Sequence, residues 1–297
     1  MSHILIAGLV NIETTLKIKE FPVKYFPIDY PFFGIKTSVS GVALNIPKAL
    51  SALGDKVKVI SLIGTDREAT WVRDTFTENG WDTVYLLSDL TETPRSVILY
   101  DETGKRQIHC DLKDYQEKSY TEEFFDEPLN NCRIAIVCNS NFCRPLLRAA
   151  KKKGVLIATD THVLSDVNDE YNKEFLQNAD ILFLSDERLP CAPNDFITKL
   201  KETYNVKIIV IGLGEKGSML YDREDDSIRI IDAVYTRPVK NTIGAGDALL
   251  SSFIHYYSKG HSSFDALKRA TIFASHKIGE TGAASGFLTE AELEEYY

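Results

Sequence analysis

The residues best suited to chemistry lie in one short run, Asn241-Thr242-Ile243-Gly244-Ala245-Gly246-Asp247-Ala248, where a long apolar stretch begins. Gly244 and Gly246 let successive backbone N–H groups turn toward one point. The stretch from Ala245 to Tyr257 has the composition of a buried helix, whose N-terminus adds partial positive charge at that point. Such an arrangement holds the negative charge that builds on a transferring phosphoryl group. Asp247 falls in the first helical turn, where its carboxylate can face the same point and take a proton from a hydroxyl. The spacing alone leaves a second reading open, in which the loop is merely Gly-rich and Asp247 caps the helix.

Other segments carry weaker signals. Ser40-Gly41-Val42-Ala43-Leu44-Asn45 leads into a helix pattern, Ala43 to Leu53, closed by Gly54. An amide such as Asn45 both donates and accepts, as a hydroxylated ligand requires, or it is satisfied locally within its helix. Gly64-Thr65-Asp66 follows an apolar strand, and Asp66 either caps the next helix or contacts a ligand. Ser185-Asp186-Glu187-Arg188 follows another strand, and Ile211 to Gly217 forms a Gly-rich strand-turn. His109, His162 and His276 lack close His or Cys ligand spacing, so they are poor metal candidates. Arg95, Lys105 and Arg106 read as a solvated strand face.

Taken in order, these segments resemble the ribokinase-like (PfkB) carbohydrate kinases. Gly244-Ala245-Gly246-Asp247 is similar to that family's second signature, Asp-Thr-x-Gly-Ala-Gly-Asp. The 40–45 segment is similar to its first, Gly-Gly-x-x-x-Asn. Gly8 to Glu13 with Phe21-Pro22, Gly64 to Asp66, and Ile211 to Gly217 match further elements, so the resemblance covers nearly the whole chain. It implies that Asp247 is the general base and that Gly244, Ala245 and Gly246 form an anion hole. It also implies that Asn11, Glu13, Gly41 and Asn45 bind the substrate. Ser185, Gly212, Gly214, Gly217, Thr271 and His276 would lie on the nucleotide side. ATP and Mg²⁺ are the implied cofactors, with Asp186 or Glu187 ordering water around the metal.

Three positions depart from the family pattern. Asn241 stands where the family usually has Asp, a position that organises the loop and, in some members, a monovalent cation site. Lacking that carboxylate, the chain is expected to show no strong K⁺ activation; a Mg²⁺ requirement is expected despite the altered 185–188 motif, because transfer needs the phosphate charge neutralised. Arg188 replaces the glutamate of the Asn-x-x-Glu motif, and Glu13 replaces Asp, which changes the depth of the pocket. Two competing functions stay open: a nucleoside kinase of the same family, or a non-catalytic sugar- or nucleotide-binding relative.

The elements that must position these residues are legible as alternating strand and helix patterns. Strands are expected at His3 to Gly8, 57–63, 134–138, 155–159, 181–184 and 207–211, with a hairpin at 218–221 and 227–231. Helices are expected at 70–79, 144–153, 193–203, 245–257 and 264–277. This alternation predicts an α/β fold: a three-layer, Rossmann-like, mostly parallel sheet covered by helices. Residues 14–38, aromatic and broken by Pro22, Pro27 and Pro31, and residues 95–110 interrupt it. They are expected to form a small β lid projecting from a single kinase domain, 1–297.

Composition sets the remaining bounds. Of 297 residues, 44% are hydrophobic, enough for a sizeable core, and the net charge of −9 disfavours nucleic acid or a membrane surface as partner. No apolar run reaches the roughly 20 residues of a membrane span. The odd count of five cysteines, without a Cys-x-x-Cys pair, points to reduced thiols and a cytoplasmic location. A small-molecule sugar or nucleoside is the expected partner. The aromatic lid (Phe21, Tyr25, Phe26, Tyr30, Phe32, Phe33) would either stack a base or serve as a homodimer surface.

Overall fold

The structure, a computed structural model, describes residues 3–297. The first strand, β1 (His3–Ala7), shows how the core is organised. Its alternate side chains leave opposite faces of the sheet, and both faces are apolar. Ile4 and Ile6 join one core, while Leu5 and Ala7 join another. A strand buried on both faces belongs in the interior of a helix-covered parallel sheet. β1 lies between β4 (Val57–Ile63) and β8 (Cys132–Val137), parallel to both.

Nine strands form this central sheet. β5 (Leu86–Ser88) extends it beyond β4. On the other side follow β9 (Leu156–Asp160), β10 (Ile181–Ser185) and β11 (Ile208–Gly212), all parallel. The hairpin of β12 (Ser218–Asp222) and β13 (Ser227–Ile231) closes that edge antiparallel. The order is β13-β12-β11-β10-β9-β8-β1-β4-β5, so the direction of strand addition reverses between β1 and β8. In open α/β sheets, that reversal leaves a crevice beyond the carboxyl ends of the strands.

Helices cover both faces. α1 (Val42–Ala52), α2 (Arg67–Glu78), α6 (Ala245–Ser258), α7 (Ser263–Lys277) and the short α8 (Glu290–Glu294) lie on one side, packed through residues such as Ile46, Phe76, Phe253 and Phe273. α3 (Arg144–Lys152), α4 (Lys173–Asn178) and α5 (Pro193–Thr203) lie on the other, around Phe142, Phe175 and Phe196. Among the described residues no helix is long and apolar enough to cross a membrane. All five cysteines are free thiols.

A second, four-stranded sheet has the order β3-β2-β6-β7 and is separate from the first. It comprises β2 (Asn11–Lys17), β3 (Ile35–Ser40), β6 (Arg95–Tyr100) and β7 (Arg106–Asp111). Its first half differs from the expected 14–38. The strands occupy the two ends of that stretch and extend outward to Asn11 and Ser40. Residues 18–34 form an exposed connection without regular strand, because three prolines there cannot donate to a ladder. The sheet lies over the crevice. Ile98 packs with Ile243 and Ala283 of the main body, Arg106 Nη1 donates to Thr242 Oγ1 at 2.7 Å, and Lys36 Nζ donates to Thr281 Oγ1 at 3.3 Å. Arg106 is exposed, yet its head group latches the lid instead of lying free on a solvated face.

Candidate active site

The crevice is built from strand ends and helix starts. α1 begins at Gly41, whose φ of 98° is left-handed and where an added Cβ would lie 2.5 Å from the Leu9 carbonyl. Glycine is what lets the chain turn there. One turn later, on the buried side of α1, comes Asn45. α6 begins at Gly244, φ 75°, where a Cβ would lie 2.7 Å from the Ala283 carbonyl. Asp247 follows in the first turn of α6. The two helices pack so that Asn45 Nδ2 donates to Asp247 Oδ2 at 2.8 Å. Asn45 is therefore not satisfied within its own helix, and Asp247 makes no capping bond at the start of α6.

The substrate-side expectations converge here. Glu13 and Asn11 leave the same face of β2, being two residues apart. Both are buried. Asn11 Nδ2 donates to Ser96 Oγ at 2.9 Å, and Glu13 Oε2 accepts from Ser40 Oγ at 3.0 Å. The remaining amide oxygens, Asn11 Oδ1 and Asn45 Oδ1, are buried without a partner. Orphaned buried acceptors are rare unless a ligand satisfies them, and donors such as hydroxyl groups suit these two. Burial pushes the Glu13 carboxyl above its usual range; the Ser40 hydroxyl and the charge of Lys277 work against that shift, and Asp247 adds to it.

The loop before α6 is held at every residue. Asn241 Nδ2 donates to the Thr281 carbonyl at 2.8 Å, and its Oδ1 accepts from the Ile243 N–H at 3.0 Å. Thr242 accepts from Arg106. The Ile243 carbonyl accepts from the ammonium of Lys277, the last residue of α7. Lys277 is 0% exposed, and burial lowers it from 10.5 to about 8. Its burial was visible in the sequence, because Ala266, Ala270, Phe273 and Lys277 repeat at helical spacing along one apolar stripe. Asp160, at the end of β9, also went unnoticed. An added Cβ on Gly246 would lie 3.9 Å from its Oδ2, and the two carboxylates Asp160 and Asp247 share one neighbourhood. Burial raises the Asp160 carboxyl, and Asp247 adds to the shift against the opposing pull of His162. The buried thiol of Cys138, at the end of β8, is raised by burial and then by the same two aspartates.

Of the residues expected on the nucleotide side, Ser185, Gly212, Gly214 and Gly217 lie at or just beyond the ends of β10 and β11, and Thr271 and His276 lie on α7. Ser185, last in β10, is in register with Gly212, last in β11. A tight turn spans 214–216, and Gly217 closes it through a Leu213 N–H to Gly217 carbonyl bond of 2.8 Å. Asp186 follows Ser185, with its N–H on the Gly212 carbonyl at 2.9 Å; Glu187 next to it is exposed, and its N–H reaches Ser185 Oγ at 3.2 Å. Arg188 has a left-handed φ of 68°. Thr271 and His276 lie on α7. Thr271 spends its hydroxyl on the Leu267 carbonyl at 2.9 Å, and the His276 ring meets the Gly286 carbonyl at 3.2 Å. Asp66 caps α2, accepting from Ala69 N–H at 2.9 Å, and holds Thr93 through two further bonds.

The model of the pfkB family of carbohydrate kinases matches residues 1–290. The chain belongs to that family. Among similar proteins, the bifunctional protein HldE of Nitratiruptor sp. is 24% identical over 87% of this chain, which covers only 56% of that protein's length. A 5-dehydro-2-deoxygluconokinase of Clostridium botulinum is 24% identical over 97% of this chain and 95% of its own. Among solved structures, a microbiome-derived acarbose kinase, Mak1, superposes with a TM-score of 0.88 at 24% identity, covering 99% of this chain and 98% of its own. This similarity shows a shared fold.

Proposed function

We propose that this pfkB-family protein transfers the γ-phosphoryl group of ATP to a hydroxymethyl group of a sugar or sugar-like acceptor, with Asp247 as general base. The carrying observation is the Asn45–Asp247 bond, set beside two buried amide oxygens that lack donors. In this reading, acceptor hydroxyls donate to Asn11, Asn45 and Glu13. That places one further hydroxyl at Asp247, which removes its proton as the oxygen attacks. The Gly244–Gly246 N–H groups and the α6 N-terminus face the charge that builds on the phosphoryl oxygens. Lid closure through Ile98 and Arg106 excludes water, which would otherwise compete with the acceptor.

The residues present fit a nucleotide with its metal. The half-buried Asp160 carboxylate, and Asp186 and Glu187 farther along the edge, are the hard oxygen donors Mg²⁺ prefers, directly or through water. Bound there, Mg²⁺ would neutralise phosphate charge. Ser185, Gly212, Gly214 and Gly217 would line the nucleotide.

A sugar is favoured over a nucleoside because, of the aromatics that would stack a base, all but the half-buried Phe21 are turned to solvent. Tyr25 is 90% exposed and Phe33 98%. ADP formation should be followed with Mg-ATP over panels of sugars, sugar acids, sugar alcohols and nucleosides. Turnover of a sugar-like acceptor, abolished by chelation of Mg²⁺, is expected. Turnover of nucleosides alone would replace the acceptor class. Absence of transfer to any acceptor would leave only a binding protein.

A further inference from the structure

A lysine with no exposed surface is expensive, because burial removes the hydration of its ammonium. Lys277 nevertheless ends α7 inside the protein and gives its hydrogen bond to the Ile243 backbone carbonyl, not to a carboxylate. That carbonyl belongs to the peptide that leads into Gly244. In a planar trans peptide the C=O and the following N–H point in opposite directions. The grip on the Ile243 oxygen therefore fixes the Gly244 N–H facing away from Lys277. The neighbouring residue that could have brought negative charge is Asn241, an amide whose two ends are already committed to Thr281 and Ile243. The loop thus has a covalently attached ammonium bonded to its backbone, in addition to the Arg106 head group on the Thr242 side chain.

We propose that Lys277 is a built-in monovalent cation: a positioning residue whose ammonium orients the 243–244 peptide and supplies fixed positive charge behind the anion-binding loop. This rests on the phosphotransferase reading above. It explains why a charge is kept where a methionine would pack at lower cost, and it makes an external monovalent ion unnecessary. The field at the site is mixed. Asp247 on α6 and Glu13 on β2 favour the charge, while Arg106 on β7 and Arg237 oppose it.

Two variants test the proposal. Lys277→Met keeps the bulk and removes the charge, and Lys277→Ala leaves room for a small cation. Loss of a donor aimed at developing charge costs on the order of 10²–10³ in turnover; a residue acting one peptide away should cost about tenfold in kcat, with nucleotide KM changed little. K⁺, NH₄⁺ or methylammonium, against tetramethylammonium at equal ionic strength, should restore part of the loss in Lys277→Ala. They should leave the wild type and Lys277→Met unchanged. The same ions should raise the unfolding midpoint of Lys277→Ala alone, since a ligand of the native state stabilises it. Either variant within about threefold of wild-type kcat overturns the proposal. So does a Lys277→Ala defect that none of the three cations relieves, or wild-type turnover strongly activated by K⁺. If Lys277→Ala does not fold, the kcat of Lys277→Met decides. If the wild type phosphorylates nothing, the kinase reading fails and the midpoint shifts decide on Lys277 by themselves.

Discussion

Replacing Asp247 by Asn preserves its size and leaves Asn45 a partner, while removing the proposed base together with a negative charge that favours the Lys277 ammonium. General-base assistance is typically worth about 10²–10⁴-fold, so kcat should fall by at least about 10²-fold with nucleotide and acceptor affinity largely kept. Activity within threefold of wild type would remove Asp247 as the base. Lys277 makes a second prediction at this scale, on stability. Its folded value, about 8, lies below its ordinary 10.5, so the buried charge costs stability below pH 8. That cost is relieved as pH rises from 8 toward 10.5, where the unfolded chain holds more protons than the folded one. Urea midpoints of the wild type and Lys277→Met should therefore differ most near pH 7 and converge by pH 10; a gap constant across that range refutes this. Such residues were unequally legible. Asp247 and Asn45 could be singled out because each follows a Gly-containing segment that opens a helix and these segments, in order, resemble the family's two signatures. Asp160 and Lys277 could not, since their meaning comes from groups that only the fold brings to them, Asp247 to both and Glu13 and Arg106 to Lys277.

At the scale of elements, the periodic strands and long helices could be read to within a few residues, because each carries its own burial pattern. Pro193 to Thr203 and Val57 to Ile63 were bounded correctly from periodicity and flanking turn residues. The three-residue β5 and six-residue α4 were missed, being too short to show a period. The lid was recognisable as β-rich, but its latching was not. Arg106 looked like any cation on an edge strand until Thr242 came within 2.7 Å. Arg106→Ala should loosen the closed lid and raise acceptor KM several-fold. It should leave the unfolding midpoint almost unchanged, since one exposed hydrogen bond contributes only about 0.5–1.5 kcal/mol. An unaltered KM would show that the latch has no part in binding.

For the whole molecule, the conspicuous feature is an apolar surface without a partner. Val23, Tyr25, Phe26, Ile28, Tyr30, Phe32 and Phe33 all lie exposed on the connection between β2 and β3, and Ile35 extends the patch into β3. Apolar patches of this kind on a folded chain mark interaction surfaces. A second copy pairing through the lids is the expected occupant. Sedimentation at micromolar protein should give a dimer mass, and replacing Phe26 and Phe33 by Ser should shift it toward monomer. A monomeric wild type would rule this out.

Asn45 and Asp247 touch across 202 residues of sequence. Lys277 closes the same site from farther along, and β1, the first of the described strands, sits between β4 and β8 in the sheet. A chain emerging from the ribosome can therefore make the segments that carry Asn11, Glu13 and Asn45 long before the segment that carries Asp247 exists. During that interval the crevice edge of α1 has no α6 to cover it, and Ile46 and Leu50 face water. Contacts of such long range are slow to form, because loop closure must precede the burial that rewards it. The nascent protein is thus most exposed to aggregation in the interval before α6 is made and docked, and the Asn45–Asp247 contact cannot exist until then.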